Sequence, residues 1–267
     1  MEKAIQRCSF VVVVVFVCFA FISQGYGAIN SWGDVQPPDP SSWDNSTDAY
    51  IGKDANGGIS ITEGSDVKAH SATLGRISGV VGSAIIDGTG SSWICSGNLS
   101  VGDSGQGTLE ISNGGNVDNS CGYIGHFSGS IGEVFVDGAG SSWSCSWPSV
   151  GSYGQGTLNI SNGGHVSCVG GYIGYWSGST GVVTVDGAGS SWSCSGYYDG
   201  LYVGRSGQGT LNITNGGSVS CNDDGYIGYD SGSTGEVSVD GTGSSWSCSE
   251  ELYVGDYGQG TLEISNG

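Results

Sequence analysis

Seven cysteines recur at nearly even intervals through the last two thirds of the chain, so their thiols are the first candidates for chemistry. A structural zinc site gathers four ligands, frequently from close pairs such as Cys-x-x-Cys, and no such pair occurs in this sequence. A catalytic thiol needs a basic partner, and His126 and His165 each occur only once in an otherwise repeated pattern. Metal binding and catalysis are therefore disfavoured. The seven residues are Cys95, Cys121, Cys145, Cys168, Cys194, Cys221 and Cys248.

Two other interpretations of these cysteines stay open. Four of them stand two residues after a recurring tryptophan, so both side chains would lie on the same face of a strand. The thiols could form a buried, reduced column that packs like small apolar side chains. Stacked strands also bring Cα atoms within the range of a disulfide, so a disulfide ladder between successive turns is the alternative. Because seven is an odd number, such a ladder would leave at least one thiol free.

Aromatic and acidic residues are concentrated in short insertions that interrupt the repeated pattern. Stacking of the repeats should bring these insertions to a single edge, which we call the loop edge. Exposed rings with acidic neighbours could stack there on sugars or contact a protein, although neutral variation of surface loops is the plainer explanation. The candidate ligand-binding residues are Trp147, Tyr197, Tyr198, Asp199, Asp223 and Asp224.

An acid–base or metal-assisted active site has little support in the sequence. Cleavage of acidic polysaccharides would need a base such as Arg or Lys beside a carboxylate pair or a bound cation. Arg205 replaces the Asp103 and Asp256 of equivalent positions, which indicates a substitution on a turn. Calcium needs six to eight oxygens around one point. We therefore expect no catalytic residues, no enzyme activity, no metal site and no cofactor, apart from weak, dispersed Ca²⁺ binding.

The charge balance excludes further classes of partner. The formal net charge is −19, with only six Lys and Arg residues in 267. Such a chain repels phosphate backbones and anionic lipid surfaces, so nucleic-acid binding and direct membrane binding are not expected.

The elements that must position these residues are repeats of about fifty residues. Gly-Ser-Ser-Trp recurs at Trp93, Trp143, Trp192 and Trp246, with spacings of 50, 49 and 54 residues. Each repeat divides into two turns of about 25 residues that contain three short strands of alternating apolar and polar residues. Stacked supersecondary units of this kind have no single closed core. The sequence predicts an all-β fold: a single-stranded parallel β-solenoid (β-helix) of about nine turns, for which we expect a right-handed coil.

Aligned turns predict columns of side chains along the solenoid. Tryptophan alternates with valine in one column, where large above small interdigitates better than a uniform stack. Aspartate alternates with Ser or Thr in another, which doubles the distance between like charges and supplies a hydroxyl donor. This alternation would explain why the repeat contains two turns. The second column is Thr62, Asp87, Ser112, Asp137, Ser161, Asp186, Thr214, Asp240 and Ser265.

The chain divides into three segments. Residues 1–28 have a basic start, an apolar run of thirteen residues and small residues before Ala28, which is typical of a secretory signal peptide. Residues 29–40 are expected to be a linker or N-terminal cap. Residues 41–267 form the repeat domain, which stops in mid-repeat, so we expect a longer natural protein. An open end of unpaired strands could self-associate.

The repeat resembles a known bacterial family. Gly-Gln-Gly-Thr-Leu-Asn-Ile-Ser-Asn-Gly-Gly, followed by Tyr-Ile-Gly-Tyr and by Val-Asp-Gly-x-Gly-Ser-Ser-Trp, is similar to the repeat shared by autotransporter (type V secretion) passengers and PEP-CTERM surface proteins. The resemblance covers roughly residues 41–267 and implies an exported β-helical surface segment without shared catalytic residues. The cysteines depart from this pattern, and the chain has no translocating barrel or sorting tail.

These features together predict a non-catalytic secreted or cell-surface protein. We expect a passenger-like stalk for display and adhesion, with surface glycans or other cells as partners and any membrane attachment through a missing C-terminal anchor. The alternative is a secreted polysaccharide-active enzyme or carbohydrate-binding module on the same β-helix scaffold.

Overall fold

The computed structural model describes residues 28–197 and 200–266. The expected signal peptide, apart from Ala28, and the loop-edge residues Tyr198 and Asp199 lie outside the described residues.

The described residues form 26 strands and one 3-10 turn, Pro40–Ser42. In chain order the strands are β1 Ala28–Gly33, β2 Val35–Gln36, β3 Asp48–Ile51, β4 Gly57–Thr62, β5 Asp66–Ala69, β6 Ser71–Leu74, β7 Val81–Asp87, β8 Ser92–Cys95, β9 Leu99–Val101, β10 Gln106–Ser112, β11 Asn116–Ile124, β12 Ile131–Asp137, β13 Ser142–Val150, β14 Gln155–Ser161, β15 His165–Cys168, β16 Gly171–Ile173, β17 Thr180–Asp186, β18 Ser191–Cys194, β19 Leu201–Val203, β20 Gln208–Thr214, β21 Ser218–Cys221, β22 Gly225–Ile227, β23 Thr234–Asp240, β24 Ser245–Cys248, β25 Leu252–Val254 and β26 Gln259–Ser265.

Two long sheets run along the molecule. The first has the order β1-β4-β7-β10-β12-β14-β17-β20-β23-β26, and the second contains the other sixteen strands. Every pairing is parallel except β1 with β4 and β2 with β3. The predicted all-β parallel β-solenoid is therefore confirmed, with about 9 turns about 25 residues apart. The segment expected to be a linker or cap contributes the two antiparallel strands, which pair with the first coil.

Alternation along each strand makes the core. In β17, Val182 and Thr184 are half-buried, whereas Val183 and Val185 are completely buried. The register places Trp143 beside Val117 and Val166, so a wide ring lies between two small side chains in successive coils. Burying large apolar side chains is the main favourable contribution to folding, and here that contribution is spread over every coil.

The turns between strands require unusual backbone angles. Asn113 has φ 50° and the following Gly114 has φ 89°, and the same pattern recurs at Asn162-Gly163 and Asn215-Gly216. Two successive residues with positive φ are the pattern of a type I′ turn, for which Asn-Gly is the preferred sequence. At another corner Gly174 has φ 68°, and a Cβ added there would lie 2.2 Å from the carbonyl oxygen of Gln208. Close stacking of the coils therefore depends on glycine at this corner.

The predicted aspartate column forms a repeated hydrogen-bond pattern. Ser112 Oγ donates to Asp87 Oδ1 at 2.7 Å, and Asn113 Nδ2 donates to the same oxygen at 2.6 Å. The equivalent pairs around Asp137, Asp186 and Asp240 have the same geometry. Each carboxylate thus accepts two bonds from the coil that follows it, and the hydroxyl of that coil separates it from the next carboxylate.

Candidate functional site

The cysteine column contains six of the seven predicted residues. Cys168, Cys194, Cys221 and Cys248 are direct neighbours in consecutive parallel strands. Cys121 does not belong to this column, because Asn119 is the residue that pairs with Cys145. The predicted membership of Cys121 is therefore wrong. Its own neighbour in β13 is Trp147.

Two of the column tryptophans have an acceptor for the indole N–H in the preceding coil. Trp143 Nε1 donates to Asn119 Oδ1 at 2.7 Å, and Trp192 Nε1 donates to Cys168 Sγ at 3.2 Å. Trp93 Nε1 is buried without a partner among the described residues, since the column residue one coil earlier is Ala69. Asn119 is thus a buried polar acceptor for the indole N–H of Trp143.

Five thiols of this column are buried and Cys248 is half-buried. The hydrogen bond with Cys248 lowers the pKa of Cys221. Burial raises the pKa of Cys95 to about 12, and it also raises the pKa of Cys145. All seven described cysteines are free thiols, and the Sγ atoms of Cys168 and Cys194 lie 2.8 Å apart. Because the thiolate is the reactive form, thiols with raised pKa values are poor nucleophiles. No group of three or more potential metal ligands occurs within residues 28–197 and 200–266.

The structure brings three of the loop-edge residues together. Tyr197, Asp223 and Asp224 line a shallow depression of about 540 Å³ with Asn222, Glu250 and Glu251. Tyr197 is 75% exposed. Asp224 has structural partners: it accepts bonds from Tyr226 Oη at 2.8 Å and from the backbone N–H of Glu251 at 2.9 Å. The depression therefore offers one exposed aromatic ring among acidic side chains.

Trp147 does not lie in this depression. The segment expected to be an inserted loop, residues 147–149, belongs to strand β13 and pairs with β11. Trp147 is half-buried and lines a separate pocket. The expectation of an exposed loop tryptophan is wrong, because the long strands β11 and β13 continue through the corner where other coils have loops.

A row of outward-facing tyrosines was not predicted as a site. Each occupies the middle of the short strand that follows the loop edge, and the rings of Tyr172, Tyr202, Tyr226 and Tyr253 stack with centroids 4.6–5.3 Å apart. The recurring Tyr-Ile-Gly or Tyr-Val-Gly in the sequence is the signal that could have revealed it. Since neighbouring rings cover one another's faces, the row presents ring edges and hydroxyl groups to solvent.

Two basic side chains lie on this tyrosine row. The Arg205 guanidinium carbon lies 4.8 Å from the ring centroid of Tyr175 and 5.5 Å from that of Tyr172. His126 stacks on Tyr123 at 4.3 Å, and its Nδ1 lies 2.9 Å from Asp103 Oδ1. Arg205 therefore makes cation–π contacts with the aromatic surface, and the ring of His126 stacks on it.

The stacked coils, with an inward Trp/Val column and outward columns of one residue per coil, define the molecule as a parallel β-solenoid. Beyond this class, no protein-family model, no curated protein and no solved structure matches the chain. No helix in the described ranges has the length and apolar character needed to span a membrane.

Proposed function

We propose that this chain is a non-catalytic, exported rod that displays a recognition surface and acts in adhesion. The observation that carries the proposal is the coincidence of the acidic depression and the tyrosine row along one edge. Both lie on the short outward strands or in the loops before them, and neither contributes to the core. Exposed aromatic and polar groups on loops held by a rigid scaffold are typical of binding surfaces.

The resemblance to autotransporter-type surface repeats supports the same proposal. An exported chain of this kind would meet surface glycans or other cells as its partners. The runner-up remains a polysaccharide-active enzyme or a carbohydrate-binding module. Arg205, the candidate base for such an enzyme, packs against tyrosine rings, and this contact favours binding over cleavage.

Binding of the purified chain to immobilised polysaccharides and to whole cells tests this proposal. We expect Tyr197→Ala to lower retention at least fivefold, because Tyr197 is the exposed ring of the depression. Tyr257→Ala is the matched control, since Tyr257 is 74% exposed on the last coil but does not line the depression. Equal retention of all three proteins, or no retention on any surface, would contradict the proposal. Release of new reducing ends from a polysaccharide would support the enzyme instead.

A further inference from the structure

Serine or threonine stands in place of tyrosine at three coils of the column that contains the tyrosine row: Thr73, Ser100 and Ser149. Of these three, Ser149 is the one that lies between two tyrosines, Tyr123 on one side and Tyr172 on the other. From Tyr172 onward a ring fills each coil, and neighbouring rings are in contact. Over Ser149 the two tyrosines are two strand spacings apart, about 9.6 Å. The missing ring leaves an opening between two aromatic side chains.

This opening is a pocket with aromatic walls. Its volume is about 270 Å³, and the lining residues are Cys121, Tyr123, Trp147, Ser149, Tyr172 and Tyr175. Tyr175 stacks on Tyr172 at 4.4 Å, so two of the walls support each other. The volume lies just below the range usual for drug-sized ligands, which fits a single small ring.

The floor of the pocket contains an unsatisfied polar group. Ser149 is 2% exposed, and its Oγ has no hydrogen-bond partner among the described residues. Buried hydroxyls in proteins are normally paired, so an orphan requires an explanation. The buried Ser91 and Ser141 of other corners do have partners, since each donates to the carbonyl oxygen of the aspartate four residues earlier. Ser149 Oγ is therefore an available donor and acceptor beside a pocket.

The lining also selects the chemical class of ligand. None of the six lining residues is Asp, Glu, Lys, Arg or His, and the net charge of −19 disfavours anions. A flat ring in contact with two parallel walls needs planes about 7–8 Å apart. The backbone spacing of about 9.6 Å across Ser149 is wider than this, which leaves room for a puckered ring. Hydroxyls on such a ring could bond Ser149 and the tyrosine phenols, while its C–H faces pack on the aromatic walls.

We propose that the pocket over Ser149 binds one neutral hexopyranose ring, either as a free sugar or as a unit of a polysaccharide. Ser149 Oγ would bond a ring hydroxyl, and Tyr123, Tyr172 and Trp147 would contact the C–H faces. Binding of a polysaccharide unit rests on the proposed adhesive function, whereas binding of a free sugar does not depend on it.

Saturation-transfer NMR with a panel of methyl hexopyranosides tests the pocket directly. We expect saturation of ring protons of at least one sugar, and at least tenfold weaker binding by Ser149→Tyr, which restores the missing ring. Ser149→Ala should weaken binding by a smaller factor. Ser100→Ala is the matched control, because Ser100 occupies the same column but lines no part of the pocket. The circular dichroism spectrum verifies the fold of each variant, and Trp147→Ala replaces Ser149→Tyr if the latter does not fold.

Three outcomes would overturn the inference. Saturation of no sugar would exclude hexopyranose binding, and undiminished binding by Ser149→Tyr would place the sugar elsewhere. Saturation of N-acetyltyrosinamide, but of no sugar, would show that the pocket takes an aromatic side chain. Retention on immobilised polysaccharide and its loss in Tyr197→Ala report the adhesive function separately, so the two proposals can fail independently. Retention that is also lost in Ser149→Tyr would assign the bound sugar to a polysaccharide.

Discussion

Individual hydrogen bonds explain why the sequence repeats after two coils rather than one. Asp186 accepts a bond from Thr214 Oγ1 and another from Asn215 Nδ2, both at 2.6 Å. These bonds stabilise the carboxylate and lower the pKa of Asp186 below its usual value. A second aspartate in place of Thr214 would supply repulsion where the hydroxyl supplies a donor. The alternation therefore removes a like-charge contact at every interface between coils.

Replacement of Thr214 by valine should make this contribution measurable. Because the folded-state pKa of Asp186 is lowered, the stabilisation is present above the unfolded pKa of about 3.8 and is lost as the pH falls through the folded value. We expect Thr214→Val to lower the free energy of unfolding by about 0.5–1 kcal/mol at pH 7. The difference from wild type should shrink below about pH 4.

Urea unfolding between pH 2 and pH 7 measures this difference. Thr214→Ser keeps the hydroxyl and should follow the wild-type pH dependence. A constant difference between Thr214→Val and wild type over the whole pH range would show that the missing bond to Asp186 is not its cause.

The pairing of strands in neighbouring coils determines which cysteines of the column are neighbours. β15 and β18 place Cys168 directly beside Cys194, and β21 and β24 place Cys221 beside Cys248. Cys95 has Ala69 as its neighbour in β5. The same column therefore contains neighbouring thiols and one isolated thiol. Because only neighbouring thiols can form a disulfide, oxidation tests the strand register.

Refolding in a glutathione redox buffer should join Cys168 to Cys194, because their Sγ atoms are in contact. The two thiols would transfer two electrons and two protons to glutathione disulfide, which becomes two glutathione molecules. The new bond would close a loop of about 26 residues and stabilise the fold by about 3 kcal/mol. Non-reducing peptide mapping identifies the linked peptides. Cys194→Ser should abolish this product, whereas Cys95→Ser should not change it. A product that contains Cys121 would contradict the register.

Periodicity predicted the elements well because each column repeats at a constant offset. The Trp/Val and Asp/Ser columns follow directly from that offset. Cys121 does not share the offset of the other cysteines. It stands four residues after Val117, whereas Cys168 stands two residues after Val166, so the spacing alone could have excluded Cys121 from the column. The pocket over Ser149 could not be predicted in the same way. It depends on how side chains from three coils pack, and no single repeat encodes that arrangement.

The whole molecule is a rod whose two ends differ. The first coil pairs with the antiparallel strands β1 and β2. On the last coil, Leu252, Val254 and Ile264 are 43%, 47% and 70% exposed, although their counterparts two coils earlier are completely buried. Exposed strand edges with apolar side chains favour pairing with another chain.

The parallel ladders between coils also determine how the rod responds to force. Backbone hydrogen bonds such as Gly174 N–H to Val150 C=O join one coil to the next, along the long axis of the sheets. Tension applied at the two ends would load one interface at a time, and each rupture would release a coil of about 25 residues, roughly 85 Å of extended chain. The molecule would lengthen in a series of similar steps and dissipate mechanical work at each step, so that a ligand held at its edge experiences a limited load.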